Sequence, residues 1–185
     1  KTANEVFIPL TVGGGIKTIT DIRKILLAGA DKVSINSAGI LNPDFINDAS
    51  KKFGSQCIVV AIDVKKTSNE IWEVFSHGGT RPTGKNALTW IKEAEKLGAG
   101  ELLITSMDKD GTKSGFDCDF LDKVTSRINI PVIASGGAGT LEHFKDVIIK
   151  SKVSAVLAAS VFHYGEIKIP MLKKYLNINK IPIRC

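Results

Sequence analysis

The chain has 185 residues, of which 43% are hydrophobic and 24% charged, and a formal net charge of +6. That is enough to bury a sizeable core as a globular protein, and no apolar run approaches the roughly 20 residues a bilayer-spanning helix needs. The basic excess suits an anionic ligand, but it is scattered over predicted helices without interleaved aromatics, so no nucleic-acid partner is expected.

In chain order, residues 1–5 read as the last turn of a helix, and the chain opens on Lys1 rather than methionine, so a native N-terminus is expected to be missing. Residues 8–12 are a short buried strand leading into Gly13, Gly14 and Gly15. Thr18 is the expected N-cap of a helix with Ile19, Ile22, Ile25 and Leu26 on one face, ended by Gly29. Residues 31–35 are the next strand, closing on Asn36 and Ser37. A helix over 43–53 follows, with Pro43 at its first position. Residues 57–62 form a continuous apolar strand, of the kind buried on both faces, ending at Asp63.

Residues 64–84 break the rhythm. Residues 71–75 alternate like a half-exposed strand before a turn-rich run from His77 to Gly84, which predicts a hairpin-like insertion over one face. A loop this long is more often functional than connecting. The alternation then resumes with helix 87–97, strand 102–106, a polar loop over 108–115, helix 119–127 and strand 131–134. A second glycine turn holds Ser135, Gly136, Gly137 and Gly139. Helix 141–149, strand 155–159, a helix over 169–176 and an apolar tail at 181–183 complete the chain. Cys57, Cys118 and Cys185 are widely spaced, odd in number and in no metal-ligand pattern. They predict free thiols in a reducing, cytoplasmic setting, with no metal site.

Six strand–helix units in succession imply a parallel sheet with right-handed crossovers. An open doubly wound sheet and a β/α barrel both fit. The barrel is favoured because polar residues follow every strand at one shared end, whereas a doubly wound sheet confines its site to a switch point. A full TIM-type (β/α)8 barrel takes eight units in about 250 residues. Residues 1–185 are therefore expected to be a single barrel domain lacking its first two units.

The two glycine turns belong to a repeat: Gly13 lies 23 residues before Asn36, and Gly136 lies 24 before Ser160. Glycine lets backbone N–H groups approach an anion closely. A phosphate is expected between Gly14, Gly15, Asn36 and Ser37, and another between Ser135, Gly136, Gly137, Gly139, Ala159 and Ser160. Two such clamps would hold a ligand with a phosphate at each end; a duplication with one working site is the alternative.

Six segments carry a resemblance: Thr11-Val12-Gly13-Gly14-Gly15-Ile16, Ala30 to Asn36, Ala61-Ile62-Asp63-Val64-Lys65, Asp108-Lys109-Asp110-Gly111-Thr112, Ala134 to Gly139 and Ala158 to His163. In this order, and across essentially all 185 residues, they resemble the cyclase subunit of imidazole glycerol phosphate synthase, a histidine-biosynthesis family. A related half-barrel isomerase of the same pathway shares the glycine turns. It would not usually carry Ser34-Ile35-Asn36 or the run from Ala158 to His163.

The resemblance implies an eight-stranded barrel of two half-barrel repeats. It implies a bis-phosphorylated formimino carboxamide ribulotide as substrate, and ammonia from a glutamine amidotransferase (glutaminase) partner. The products would be imidazole glycerol phosphate and an aminoimidazole carboxamide ribotide, with no metal or redox cofactor. Asp63 matches the strand-end aspartate of the second half, its partner falling on the absent first strand; a cap on the following loop is the competing role. A shielded carboxylate with a tuned pKa suits such proton traffic. Asp110 and Gly111 match positions that contact substrate and assist proton transfer, and Thr105 is expected to offer its hydroxyl. Asp108 also reads as half of an Asx-turn pair. Lys32 and Glu101 match a gate that admits ammonia, and Asp31 a partner-facing position, although charges at strand starts are ordinarily solvated caps. His143 and His163 are not assigned to catalysis.

Two other functions stay open. One is a paralogous ammonia-dependent subunit in a nucleotide-sugar amidotransferase pathway. The other is a non-catalytic phosphate-binding barrel that activates a glutaminase. With one carboxylate of the pair absent and a barrel seam open, the 185-residue chain by itself is expected to be inactive.

Overall fold

Short Ile- and Val-rich strands alternating with amphipathic helices bury both faces of a parallel sheet. The computed structural model, which describes residues 2–68 and 70–184, follows that rule. After α1 (Thr2–Glu5) come β1 (Thr11–Gly13), α2 (Ile19–Leu27), β2 (Lys32–Ile35), α3 (Ser37–Leu41) and α4 (Asp44–Phe53). Next are β3 (Ile58–Ser68), β4 (Ile71–Ser76), β5 (Arg81–Asn86), α5 (Ala87–Lys96), β6 (Glu101–Ser106) and α6 (Cys118–Thr125). The chain closes with β7 (Val132–Ser135), α7 (Leu141–Ser151), β8 (Ala155–Leu157), α8 (Ser160–His163) and α9 (Ile169–Ile178).

The six parallel strands run in the order β1-β2-β3-β6-β7-β8, and β4 and β5 extend β3 as an antiparallel hairpin. Among the described residues β1 and β8 do not pair with each other, so this is a partial TIM-type barrel with an open seam. Strand periodicity sends alternate side chains to opposite faces. Val33, Ile35, Ile58, Val60, Ile62, Leu102 and Ile104 are buried in one core with Ile22, Ile46, Trp90, Phe120 and Phe144 of the helices. The intervening residues, Val59, Ala61, Leu103, Ile133 and Leu157, instead line an open cavity of about 1020 Å³ on the concave side of the sheet. No helix among the described residues is long and apolar enough to cross a membrane.

The repeat is structural as well as sequential. In both β1-α2-β2-α3 and β7-α7-β8-α8, a strand ends in a glycine turn, a threonine caps the next helix, and the neighbouring strand ends in a one-turn helix. Thr18 accepts from the Asp21 N–H at 3.1 Å while Asp21 Oδ2 accepts from the Thr18 N–H at 2.9 Å, a reciprocal capping box. Hydrogen bonding from the Thr18 side chain, with the Lys17 and Thr18 N–H groups, holds the Asp21 carboxyl below its ordinary value. Thr18→Ala is expected to cost about 1 kcal/mol, measured as a lower urea midpoint at unchanged slope.

Several expectations need correction. The first strand is Thr11–Gly13, not 8–12, and Phe7 and Ile8 are exposed. Pro43 is the N-cap of α4 rather than its first helical residue. Strand β3 does not end at Asp63 but runs on to Ser68, because Val64 and the residues after it find partners on β4. That hairpin is no loose loop: Trp72 and Val74 are buried, and Trp72 packs on Phe120 of α6 at 4.9 Å between ring centroids. Helices α3 and α8 follow β2 and β8 directly, where plain strand ends were expected. Cys57 and Cys118 are free thiols, and Cys185 lies outside the described residues.

Candidate functional site

All six parallel strands point their C-terminal ends to one rim, so the residues just beyond them share a mouth. Asp63, Thr105, Ser135 and Leu157 sit in one register row across β3, β6, β7 and β8. Asp63 is half-buried there, and the Asn36 Nδ2 amide donates to its Oδ2 at 3.0 Å. Burial raises the Asp63 carboxyl above its ordinary value, the Asn36 amide opposes that rise, and the charge of Asp110 adds to it. The Asn36 Oδ1 is itself buried and without a partner among the described residues, so it has capacity to accept from a ligand donor. A carboxyl poised this way sits nearer the range useful for proton transfer than a free aspartate does.

Each glycine turn lies beside the neighbouring strand end, as its half of the repeat requires. Gly13 is level with Ser34, placing Gly14 and Gly15 next to Asn36 and Ser37. These glycines have φ of 96° and 70°, and a side-chain carbon on either would meet nothing within 4 Å; with Asn36 and Ser37 they wall the open cavity. Ser135 is level with Leu157, which places Gly136 and Gly137 next to Ala159 and Ser160. Here the glycines are buried, and they meet protein. A carbon added to Gly136 would approach the Ser106 carbonyl oxygen at 2.7 Å, and one on Gly137 or Gly139 would overlap the carbonyl of Gly115 or Lys113. The Gly115 N–H donates to the Gly137 oxygen at 2.8 Å. The loop carrying Asp110 and Gly111 is therefore seated on the second glycine turn. The walls of the cavity hold the first glycine turn and not the second, which stands further along the rim.

The remaining candidates divide. Asp108 accepts from the Lys66 N–H at 2.7 Å, tying the loop to the extension of β3, a structural task. His143 Nδ1 accepts from the Gly139 and Thr140 N–H groups at 3.2 and 3.3 Å, which fixes the second glycine turn to α7. At the opposite barrel end, Lys32 and Glu101 form a half-buried ion pair, on the strand face that also bears Ser34 and Leu103. Asp31 Oδ2 accepts from the Leu10 N–H at 2.8 Å, joining the starts of β1 and β2. No group of three or more His, Cys, Asp or Glu side chains among the described residues is placed to hold a metal.

Sequence reasoning missed His77 and Gly78. The tip of the β4–β5 hairpin brings both to the cavity beside the first glycine turn, and the His77 N–H donates to Ser37 Oγ at 2.8 Å. Their only sequence signal was the turn-rich composition of the insertion.

Against known families, the model described as histidine biosynthesis protein matches residues 1–168, nine-tenths of the chain and every strand of the sheet.

Proposed function

Because the chain belongs to the histidine biosynthesis protein family, whose members are barrel isomerases or lyases, we propose that it acts as the cyclase subunit of imidazole glycerol phosphate synthase, a cytoplasmic lyase. The single observation that carries this reading is Asp63: a half-buried carboxyl with a raised pKa, held by Asn36 and facing the charge of Asp110, on the rim between two glycine turns. A bis-phosphate spanning the rim would lie with Gly14, Gly15 and Ser37 at one end and Gly136, Gly137 and Ser160 at the other. Its reactive centre would then be over Asp63.

Adding ammonia to a carbonyl and closing an imidazole ring require protons to leave nitrogen and to reach a departing oxygen. A carboxyl held above its ordinary pKa can give a proton and take one back in the same cycle. Asp110 is the second carrier, and Thr105, Gly111 and Ser135 orient the substrate between the clamps. Ammonia would enter at the Lys32–Glu101 end from a docked glutaminase and travel along the apolar row of Val59, Ala61 and Leu103.

The test is to incubate the full-length protein with the bis-phosphorylated formimino carboxamide ribulotide, with and without ammonium salt. Imidazole glycerol phosphate and the carboxamide ribotide are expected only with ammonium. Aldose–ketose isomerisation that needs no ammonia would assign the sister isomerase activity instead, and no turnover at all would leave a binding barrel. For the gate, Glu101→Gln is expected to keep the ammonium-driven rate and to lower the glutamine-driven rate of the complex. Equal loss in both assays would remove the gate.

A further inference from the structure

The β4–β5 hairpin is anchored at its base by Trp72 and Val74 and projects its tip to the mouth of the barrel. At that tip His77 adopts a left-handed conformation, φ 54°, followed by Gly78 at 65° and Gly79 at 80°. A non-glycine residue there carries strain that glycine would not, and such strain is retained where the surroundings impose it, often at ligand sites. Two contacts fix the residue: its N–H donates to Ser37 Oγ at 2.8 Å, and its Nδ1 lies 3.0 Å from Ser76 Oγ. The Nε2 has no partner among the described residues, and His77 lines the same cavity as Gly13, Gly14, Gly15, Asn36 and Ser37.

We propose that His77 is a further phosphate-binding residue, whose imidazole Nε2–H closes the open side of the first glycine turn and donates to a phosphate held there. Where the Ser76 hydroxyl donates to Nδ1 rather than to the Arg81 carbonyl 3.4 Å away, the ring proton sits on Nε2, the donor an anion needs. The backbone contact to Ser37 holds His77 at the cavity that the glycine turn also lines, so the hairpin contributes a wall that β1 and β2 lack. The inference rests on the phosphate-clamp reading of Gly14 and Gly15 and adds a residue to it.

Inorganic phosphate is the probe, titrated into the full-length protein while the ring signals of His77 and the amide signals of Gly14 and Gly15 are followed by NMR. Both sets are expected to shift together and saturate at one concentration. His77→Gly keeps the N–H to Ser37 and relieves the positive φ, so it folds at least as well. It is nevertheless expected to bind phosphate about tenfold more weakly, the scale of one hydrogen bond to a charged group. His77→Gln, which retains a side-chain N–H donor, is expected to recover part of that affinity, and in turnover KM should rise with kcat little changed. If phosphate shifts Gly14 and Gly15 but not His77, or if His77→Gly binds as tightly as the native protein, the inference is overturned and the clamp survives. If phosphate moves neither set, the clamp itself is lost, and the inference with it.

Discussion

Asp63→Asn is expected to lower kcat for ring closure by about 10²–10⁴-fold, the span general acid–base groups contribute, with KM little changed because the clamps are untouched. Asparagine keeps the shape and can still accept from the Asn36 amide, so what is removed is the titrating proton. Stability should move the other way. The Asp63 carboxyl is raised by burial, so its favourable, neutral form is fully present below the unfolded value near about 4 and is lost as pH rises through the folded value. At pH 7 the ionised group opposes folding, and Asp63→Asn should melt at a higher temperature than the native protein. The difference should vanish at pH values below the ordinary aspartate range. Unchanged turnover in the variant would remove Asp63 from the chemistry. A lower melting temperature at pH 7 would show instead that the carboxylate stabilises the fold, as a loop cap would.

The second large effect separates the two glycine turns. Gly137→Ala places a carbon against the Gly115 carbonyl oxygen and 3.1 Å from the Lys109 Cβ, at a φ of 107° that side chains rarely adopt. Backbone strain and overpacking each cost on the order of 1–3 kcal/mol, so the variant is expected to lose about 3 kcal/mol or more, read from denaturant midpoints. Gly15→Ala meets open space at φ 70°, so only the left-handed backbone cost of about 1–2 kcal/mol applies. The first turn should thus tolerate alanine in folding while losing phosphate affinity, because Gly15 lines the cavity where a phosphate is proposed to sit. Comparable destabilisation by both substitutions would contradict the asymmetry.

That asymmetry marks where reading the sequence stops. The two turns look alike as strings, and their shared order of strand, glycine turn, amphipathic helix and neighbouring strand was legible from the apolar spacing, whereas of the two threonine caps only Thr18 was read and Thr140 emerged with the structure. What differs is which loop crosses them. The segment from Lys109 to Gly115 lies on the second turn, and nothing local in either turn encodes that contact. Strand β3 illustrates the same limit: Asp63 looked like a strand end because it breaks an apolar run, but the strand continues because β4 pairs with it. Helices α3 and α8, of five and four residues, are too short to print a periodicity. The Asp63–Asn36 contact spans 27 residues and follows from the parallel order β2-β3, so it became visible only with the sheet. His77 was hidden for the same reason, since its neighbour Ser37 lies 40 residues away.

The most direct test of the central claim is to supply ¹⁵N-labelled ammonium with the bis-phosphate substrate and weigh the products. One ¹⁵N is expected in the imidazole glycerol phosphate and none in the carboxamide ribotide. An isomerised substrate without label, or an imidazole product formed without ammonium nitrogen, would contradict the claim.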